Sequence, residues 1–458
     1  MQTAPATDPG PVPASSRRAP GARPLWIFLA LFLCVVPRTA VLAQEQAPPL
    51  PKGLLTQAQL VAAVLRRNPS LGAERAALTE AAQRIKTAGR LADPMLSVGV
   101  APGTIGNAVG AREDVEVSQA FPWWGTLDAE TAVARLKAEA ASEDVHSLAL
   151  KLSALTEGAY SQWWYLHAAL EVNRHHQALY AELREVAKAR FAAGLAPEQD
   201  VLQADVERTM LRQQALALRR QQLAVQAAID ALLNLPGDAA LPAPGPLPAA
   251  GTLPPLHALT RFALERHPSL RALHLKEREA HEQETLAKKA RFPNFRVSAG
   301  YNSMWDSVAM RPMIGVSINV PLDQGRRRAE IDAARAGARR AAQLLTASRA
   351  DLGGRIAAAY AAVAEERQSV RLYRDQLVPL ARATLAVSRS EYASGRSSFL
   401  YLIDAERRLL DAELGLARTR AGLDRSLANL GRRVGTSLPI ELPRAGGTFV
   451  PARARGLP

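Results

Sequence analysis

Arg66-Arg67-Asn68-Pro69-Ser70-Leu71 returns farther along the chain as Glu265-Arg266-His267-Pro268-Ser269-Leu270, and that return decides the fold. The turn at Asp93-Pro94 comes back at Phe292-Pro293, and Gln119-Ala120-Phe121-Pro122 comes back as Ile318-Asn319-Val320-Pro321. All three proline pairs share one offset of 199 positions (268 − 69, 293 − 94, 321 − 122). Phe191-Ala192-Ala193-Gly194 then matches Tyr392-Ala393-Ser394-Gly395 at an offset of 201 (395 − 194). Chance punctuation does not hold register over so many landmarks. The chain is a duplicated unit of about 200 residues, far longer than a solenoid repeat.

Each unit has one layout. A helical stretch (55–90, 256–291) ends near a proline; a strand, a loop, a second strand and another proline follow, and then a long helix runs to a glycine and turns into a further helix. The first repeat is placed at 44–240, with strands at about 94–101 and 114–121. The second is placed at 256–438, with strands at about 293–301 and 313–320. A proline-rich linker at 241–255 separates them, and 439–458 form a C-terminal tail. From Pro122 to Gly194 and from Pro321 to Gly395 the helices would each reach about 110 Å if continuous, longer than a compact domain needs. Leu148, Leu152, Leu155 and Tyr160 fall near a coiled-coil seam.

The strands alternate with period two. Leu96, Val98 and Val100 oppose Ser97 and Gly99, and Val115, Val117, Gln119 and Phe121 oppose Glu116, Ser118 and Ala120. Phe295, Val297, Ala299 and Tyr301 oppose Arg296, Ser298 and Gly300, while Ile314, Val316, Ile318 and Val320 oppose Gly315, Ser317 and Asn319. Apolar on one face and small or polar on the other fits a barrel with lipid outside and water inside. It also fits a half-buried soluble sheet. Four strands cannot close a conducting barrel, and an open sheet leaves bare edges; pooling strands from several chains answers both.

Composition narrows the class. The chain has 458 residues, 57 basic against 43 acidic, for a net +14. The arginines are scattered among acids along helical stretches, which reads as a solvated helix surface and not as a nucleic-acid-binding patch. Arg17, Arg18 and Arg23 precede the apolar run Trp26 to Val36, which is too short to span a bilayer, and Val41-Leu42-Ala43 supplies small residues for cleavage. A secretory signal peptide is therefore expected at 1–43. The one cysteine, Cys34, lies inside it after Leu33, where lipidation wants a small residue, so neither a lipid anchor nor a disulfide is expected. Beyond the leader no run of eighteen apolar residues occurs, so any membrane crossing must be made by strands.

Two repeats of helix, strand, strand, long helix, turn and helix behind a cleavable leader resemble the TolC family of outer-membrane factors. The most specific stretches are the proline-flanked strands and the two tips, Gly194-Leu195-Ala196-Pro197-Glu198-Gln199-Asp200 and Gly395-Arg396-Ser397-Ser398-Phe399-Leu400-Tyr401-Leu402-Ile403-Asp404-Ala405-Glu406. The resemblance implies a mainly α fold with a transmembrane β-barrel contribution. It implies a homotrimer pooling four strands per chain into a 12-stranded barrel in outer-membrane lipid, continued by a helical tunnel into the periplasm. The implied partners are a periplasmic adaptor and an inner-membrane pump of the RND type, and the implied role is passive exit duct of a tripartite efflux system. Leu91-Ala92-Asp93-Pro94-Met95-Leu96 and Phe121-Pro122-Trp123-Trp124-Gly125-Thr126-Leu127 resemble members serving heavy-metal pumps of the Cus and Czc type.

The resemblance also assigns site residues. Gly194, Leu195 and Gly395 are the adaptor-contact tips. Asp200 and Tyr392 match a hydrogen-bonded periplasmic gate pair, and Asp404 matches an aspartate whose threefold ring narrows the pore and attracts cations. Tyr401 stands where a second acidic ring is expected, and Ser397 where a gate arginine is expected, with Arg396 beside it. Read from the residues alone, Asp200, Asp404 and Glu406 are equally solvated or capping groups near a helix start. No metal site is expected, since His175 and His176 are adjacent and point to different faces of a helix; no cofactor is expected either. Neither a Gly-x-Ser-x-Gly elbow nor a His-Glu-x-x-His motif occurs, so no enzyme is expected. The alternatives are a duct for drug efflux or type I protein secretion, a periplasmic adaptor, and a structural coiled-coil protein.

Overall fold

The computed structural model describes residues 53–101 and 112–436. The expected leader at 1–43, Cys34 and the tail at 439–458 lie outside the described residues.

Helix α1 (Gln57–Arg67) starts at a capping box, with Thr56 and Gln59 each accepting from the other's backbone N–H. Leu60, Ala63 and Val64 form its buried stripe. Asn68, in extended conformation before Pro69, stops it and caps α2 (Pro69–Ala88) by accepting from Ser70 N at 3.0 Å. The second repeat repeats the device with another residue. His267 separates α5 (Leu256–Arg266) from α6 (Pro268–Lys289), and its Nδ1 accepts from Ser269 N at 3.2 Å. Asn68 Nδ2 donates to Leu232 O at 3.0 Å, and His267 Nε2 reaches Arg432 O at 3.2 Å. Each cap thus ties its helix pair to the end of its own repeat's last helix. Burial pushes the His267 pKa down, as a neutral ring with one donor and one acceptor requires.

The strands form one antiparallel sheet in the order β1 (Met95–Ala101), β2 (Arg112–Phe121), β3 (Phe295–Asn302), β4 (Pro312–Ile318). The β2–β3 ladder joins the repeats, from Asp114 opposite Asn302 to Phe121 opposite Phe295. Its register stacks like with like. Leu96, Val117, Ala299 and Ile314 make one row across the sheet; Phe121, Phe295 and Ile318 make another. Ser97, Glu116, Gly300 and Met313 form a row on the other face, beside Met95, Ser118, Ser298 and Gly315. The apolar face is bare: Ile314 is 87% exposed and Val316 70%. β1 and β4 are sheet edges without a further partner strand among the described residues.

From the sheet, α3 (Thr126–Ala192) runs unbroken for 67 residues, about 100 Å at 1.5 Å per residue, and returns through α4 (Glu198–Leu232). Of the seam positions read from spacing, Leu152 and Tyr160 are buried, whereas Leu155 is 46% exposed. The second repeat departs from an unbroken rod. α7 (Gln324–Leu372) and α8 (Val378–Ala393) are separated by a π-helical turn at Tyr373–Leu377, and α9 (Phe399–Val434) returns beside them. Pro379 explains the turn, because it has no N–H for a regular i→i−4 bond. Gly415 on α9 receives the turn: a Cβ there would stand 2.2 Å from the Tyr373 ring. Gly415→Ala should therefore lower stability by about 1–3 kcal/mol through overpacking, read as a lower melting temperature of the protein, whereas Gly337→Ala, in open space, should not.

The core is distributed. Leu55, Leu60, Val64, Trp163, Ile229 and Leu233 pack the first repeat where the linker crosses. Leu259, Ala263, Ile356, Val363, Leu430 and Val434 do the same for the second. The linker is pinned there: Leu55 N donates to Ala243 O, Gly245 N to Leu55 O, and the buried Tyr160 hydroxyl lies 2.9 Å from both the Leu55 and Gly245 carbonyls. A separate cluster around Tyr180, Leu183, Tyr392, Phe399 and Leu402 joins the two hairpins near their tips.

Candidate functional site

Both hairpins end on glycine. Gly194 (φ 71°) and Gly395 (φ 77°) take the left-handed conformation, and six-to-one bonds close the turns, Leu195 N to Arg190 O at 2.8 Å and Arg396 N to Glu391 O at 2.9 Å. Leu195 projects from the first tip, 67% exposed. The three tip residues named by resemblance thus sit at the two turns.

The two tips are stitched together. Tyr392, 2% exposed on α8, donates from its hydroxyl to Asp200 Oδ2 on α4 at 2.9 Å. Burial, and then the Asp200 carboxylate, push the phenol's pKa up. Sequence reasoning passed over a second tie. Arg190, in the last turn of α3, donates from Nη1 to Tyr392 O at 2.7 Å and Ala393 O at 2.8 Å, and from Nη2 to Leu195 O at 3.2 Å. Its guanidinium also lies 4.9 Å from the Tyr392 ring centroid. One cation therefore caps the carbonyl ends of both hairpins. A basic residue in the turn before a C-terminal glycine was the available signal, but its reach into the other repeat is a tertiary fact.

Asp404 is not part of this cluster. It lies on the outer face of α9, its side chain 55% exposed, paired with Arg408 Nε at 2.8 Å one turn on. Tyr401 shares that face, 67% exposed. Glu406, on the opposite side of the helix, is fully buried, contrary to a reading as a solvated or capping group.

A bare apolar sheet face, a pair of repeats and glycine-tipped hairpins are the features to set beside known proteins. The sequence profile described as outer membrane efflux protein matches residues 259–436, most of the second repeat. That match gives the second repeat the sequence signature of outer membrane efflux proteins, and the described residues as a whole have the fold of solved outer-membrane channels. The chain matches solved channels over 83% of its length: the outer-membrane channel OprN (21% identity, TM-score 0.71, 90% of that chain), VceC of Vibrio cholerae (19%, 0.69, 96%) and CusC (17%, 0.72, 92%). No curated protein matches the sequence.

Farther from the tips, the chain carries a buried charge network. His176 on α3, 0% exposed, places Nδ1 2.5 Å from Glu406 and Nε2 3.2 Å from Glu413, both on α9. Arg382 of α8 also bonds Glu413, and Arg407 of α9 chelates Glu207 of α4. Burial opposes the charge on His176, but its two carboxylate partners outweigh it and raise the pKa to about 9; the His176 bond and then Arg382 hold Glu413 at about 2 against its burial. His175 is exposed, so the adjacent histidines do face apart. Among the described residues no His, Cys, Asp or Glu grouping could hold a metal ion, and no helix is long and apolar enough to cross a membrane.

The junction motif Phe121–Leu127 does structural work. Trp123 stacks on Phe292 at 4.7 Å, and its backbone N–H donates to Asn294 Oδ1 at 3.1 Å. Trp124 is 70% exposed where the sheet meets α3.

Proposed function

We propose that this chain is the exit duct of a tripartite efflux system in the outer membrane. Three copies pool their sheets into a 12-stranded barrel, and their helices form a tunnel into the periplasm. The observation that carries the reading is the four-stranded sheet, with an apolar row across every strand on one face, mostly polar or small residues on the other, and, among the described residues, open edges at β1 and β4. A single chain can neither cover that face nor close those edges; a lipid-facing trimer does both.

Conduction is passive, with no catalytic step in the duct. An inner-membrane RND-type pump supplies the energy, and a periplasmic adaptor engages the Gly194–Leu195 and Gly395 tips. The tip cluster of Arg190, Tyr392 and Asp200 holds the lower end closed, and α8 and α9 swing away from α3 and α4 to open it. The outer face of α9 borders the pore, where Tyr401 and Asp404 form its narrowest rings. The cargo is heavy-metal ions, a reading supported by the likeness of Leu91–Leu96 and Phe121–Leu127 to channels of heavy-metal pumps. Passage needs no tight ligand set.

Planar-bilayer recording of the detergent-purified trimer tests the duct. Discrete channels are expected, and Asp404→Ala should weaken block by a trivalent cation about tenfold or more, since one ring carries three carboxylates, while trimers form normally. Intact trimers that never conduct, even with the tip ties removed, would sink the reading. Unchanged block would remove Asp404 from the pore.

A further inference from the structure

The buried network at His176 serves no step of conduction, yet it costs desolvation that a leucine would avoid. We propose that His176 is a positioning residue for the gate: clamped between Glu406 and Glu413, it fixes the rotation of α9 about its axis and so aims Tyr401 and Asp404. The inference rests on the channel reading for the claim that their face borders the pore.

Helix geometry carries the argument. Glu406 and Glu413 are seven residues apart, two turns, and lie on the stripe of α9 that also buries Leu402, Ile403, Leu409 and Leu410. Leu400, Tyr401, Asp404 and Arg408 are exposed on the other side. Apolar knobs alone hold a helix's rotation loosely, because burial is non-directional. A fully buried imidazolium is different. It must meet both carboxylates, and turning α9 by one residue would strand a fully buried Glu406 without a cation. Glu406 meets His176 through Oε1 at 2.5 Å and has the Tyr180 phenol beside it, a neutral partner, so His176 supplies the cation that balances the buried carboxylate. The clamp is balanced. His176 from α3, Arg382 from α8 and Arg407 from α9 face Glu207 from α4 and Glu406 and Glu413 from α9, with Tyr180 of α3 the remaining ionisable group.

The raised pKa of His176 sets the window. Its contribution is fully present below the ordinary histidine value of 6.5 and is lost as pH rises through about 9. Glu413 has a lowered pKa, so its contribution is present above its usual 4.5 and is lost only as pH falls through about 2. The clamp is therefore intact across neutral pH and releases on the alkaline side.

The test uses full-length trimers in a Tyr401→Phe background, which removes the phenol that shares the exposed face of α9 with Asp404. Block by hexaamminecobalt(III) should hold steady through neutral pH and weaken about threefold or more as pH passes about 9, the loss of one or two hydrogen bonds. His176→Gln should show the weaker block at every pH. Glu413→Gln, which keeps His176 and Glu406, should move the alkaline step to lower pH. Hydrogen exchange of α9 amides reads the same positioning without any current: protection should fall above about pH 9 in the parent and be low throughout in His176→Gln. Block and exchange indifferent to His176→Gln, or an alkaline step unmoved by Glu413→Gln, would overturn the inference with the channel intact. Trimers that show the exchange step but never conduct would overturn the channel reading alone.

Discussion

Arginine in place of Ile314 should empty the membrane fraction of this protein. Ile314 is 87% exposed in the row Leu96, Val117, Ala299 and Ile314, four strands wide, and none of the described residues covers it. If lipid covers it, a cation near the bilayer midplane costs about 2–4 kcal/mol per chain. A trimer repeats that three times, roughly 6–12 kcal/mol, comparable with the whole stability of a domain. Lysine at Ser97, on the opposite face and directly across from Glu116, should be tolerated and even gain a cross-strand pair. Heat-modifiable migration on gels and detergent extraction check both. Normal trimers from Ile314→Arg would mean that protein, not lipid, covers the sheet, and the barrel would have to be abandoned.

That sheet was legible in the sequence because strand alternation is a property of neighbours, and a proline at each end marks where it stops. The duplication was legible for the same reason: Pro69, Pro94 and Pro122 restrict the backbone wherever they occur, so their return at one offset repeats a geometry. The glycine tips followed from left-handed φ values that other residues adopt only at a cost. What stayed hidden depends on partners far away in the chain. The π-turn at Tyr373–Leu377 needs Pro379, which the sequence shows, and room at Gly415, which it does not. Asn68 and His267 align, but a histidine is not an obvious substitute for an asparagine cap until both are seen to bond the next helix and a distant carbonyl. The pair His175-His176 announces two faces without saying which is buried, and nothing local says that two glutamates wait seven residues apart on α9. The resemblance placed Asp200 and Tyr392 at positions that do meet, whereas it had no slot for Arg190, whose contacts cross between repeats.

Arg190 and Tyr392 are the other site where a large effect is expected. Removing the hydroxyl in Tyr392→Phe deletes the bond to Asp200 but keeps the ring beside Phe399, at 5.1 Å, and beneath the guanidinium. Asp200 is partly exposed and can rehydrate, so the loss should be near the low end for a bond to a charged group, about 1–2 kcal/mol. Arg190→Ala deletes two charge-assisted bonds to the end of α8 and one to Leu195 O, for about 2–3 kcal/mol. If these ties hold the lower end shut, the closed state of each chain should lose about 2–4 kcal/mol in the double variant, less than the sum of the two single losses and a shift of roughly thirtyfold or more toward open. Single-channel conductance should rise from rare small openings to long-lived large ones. Because Arg190 grips the very residue whose ring and carbonyl position the Asp200 bond, the two substitutions should not add. A double-variant cycle should return a coupling of about 0.5–2 kcal/mol. Added effects with no coupling would make the ties two independent caps of helix ends. Conductance unchanged in the double variant would move the closure away from the tips, to the rings of Tyr401 and Asp404 on α9, where the network at His176 already holds the helix in place.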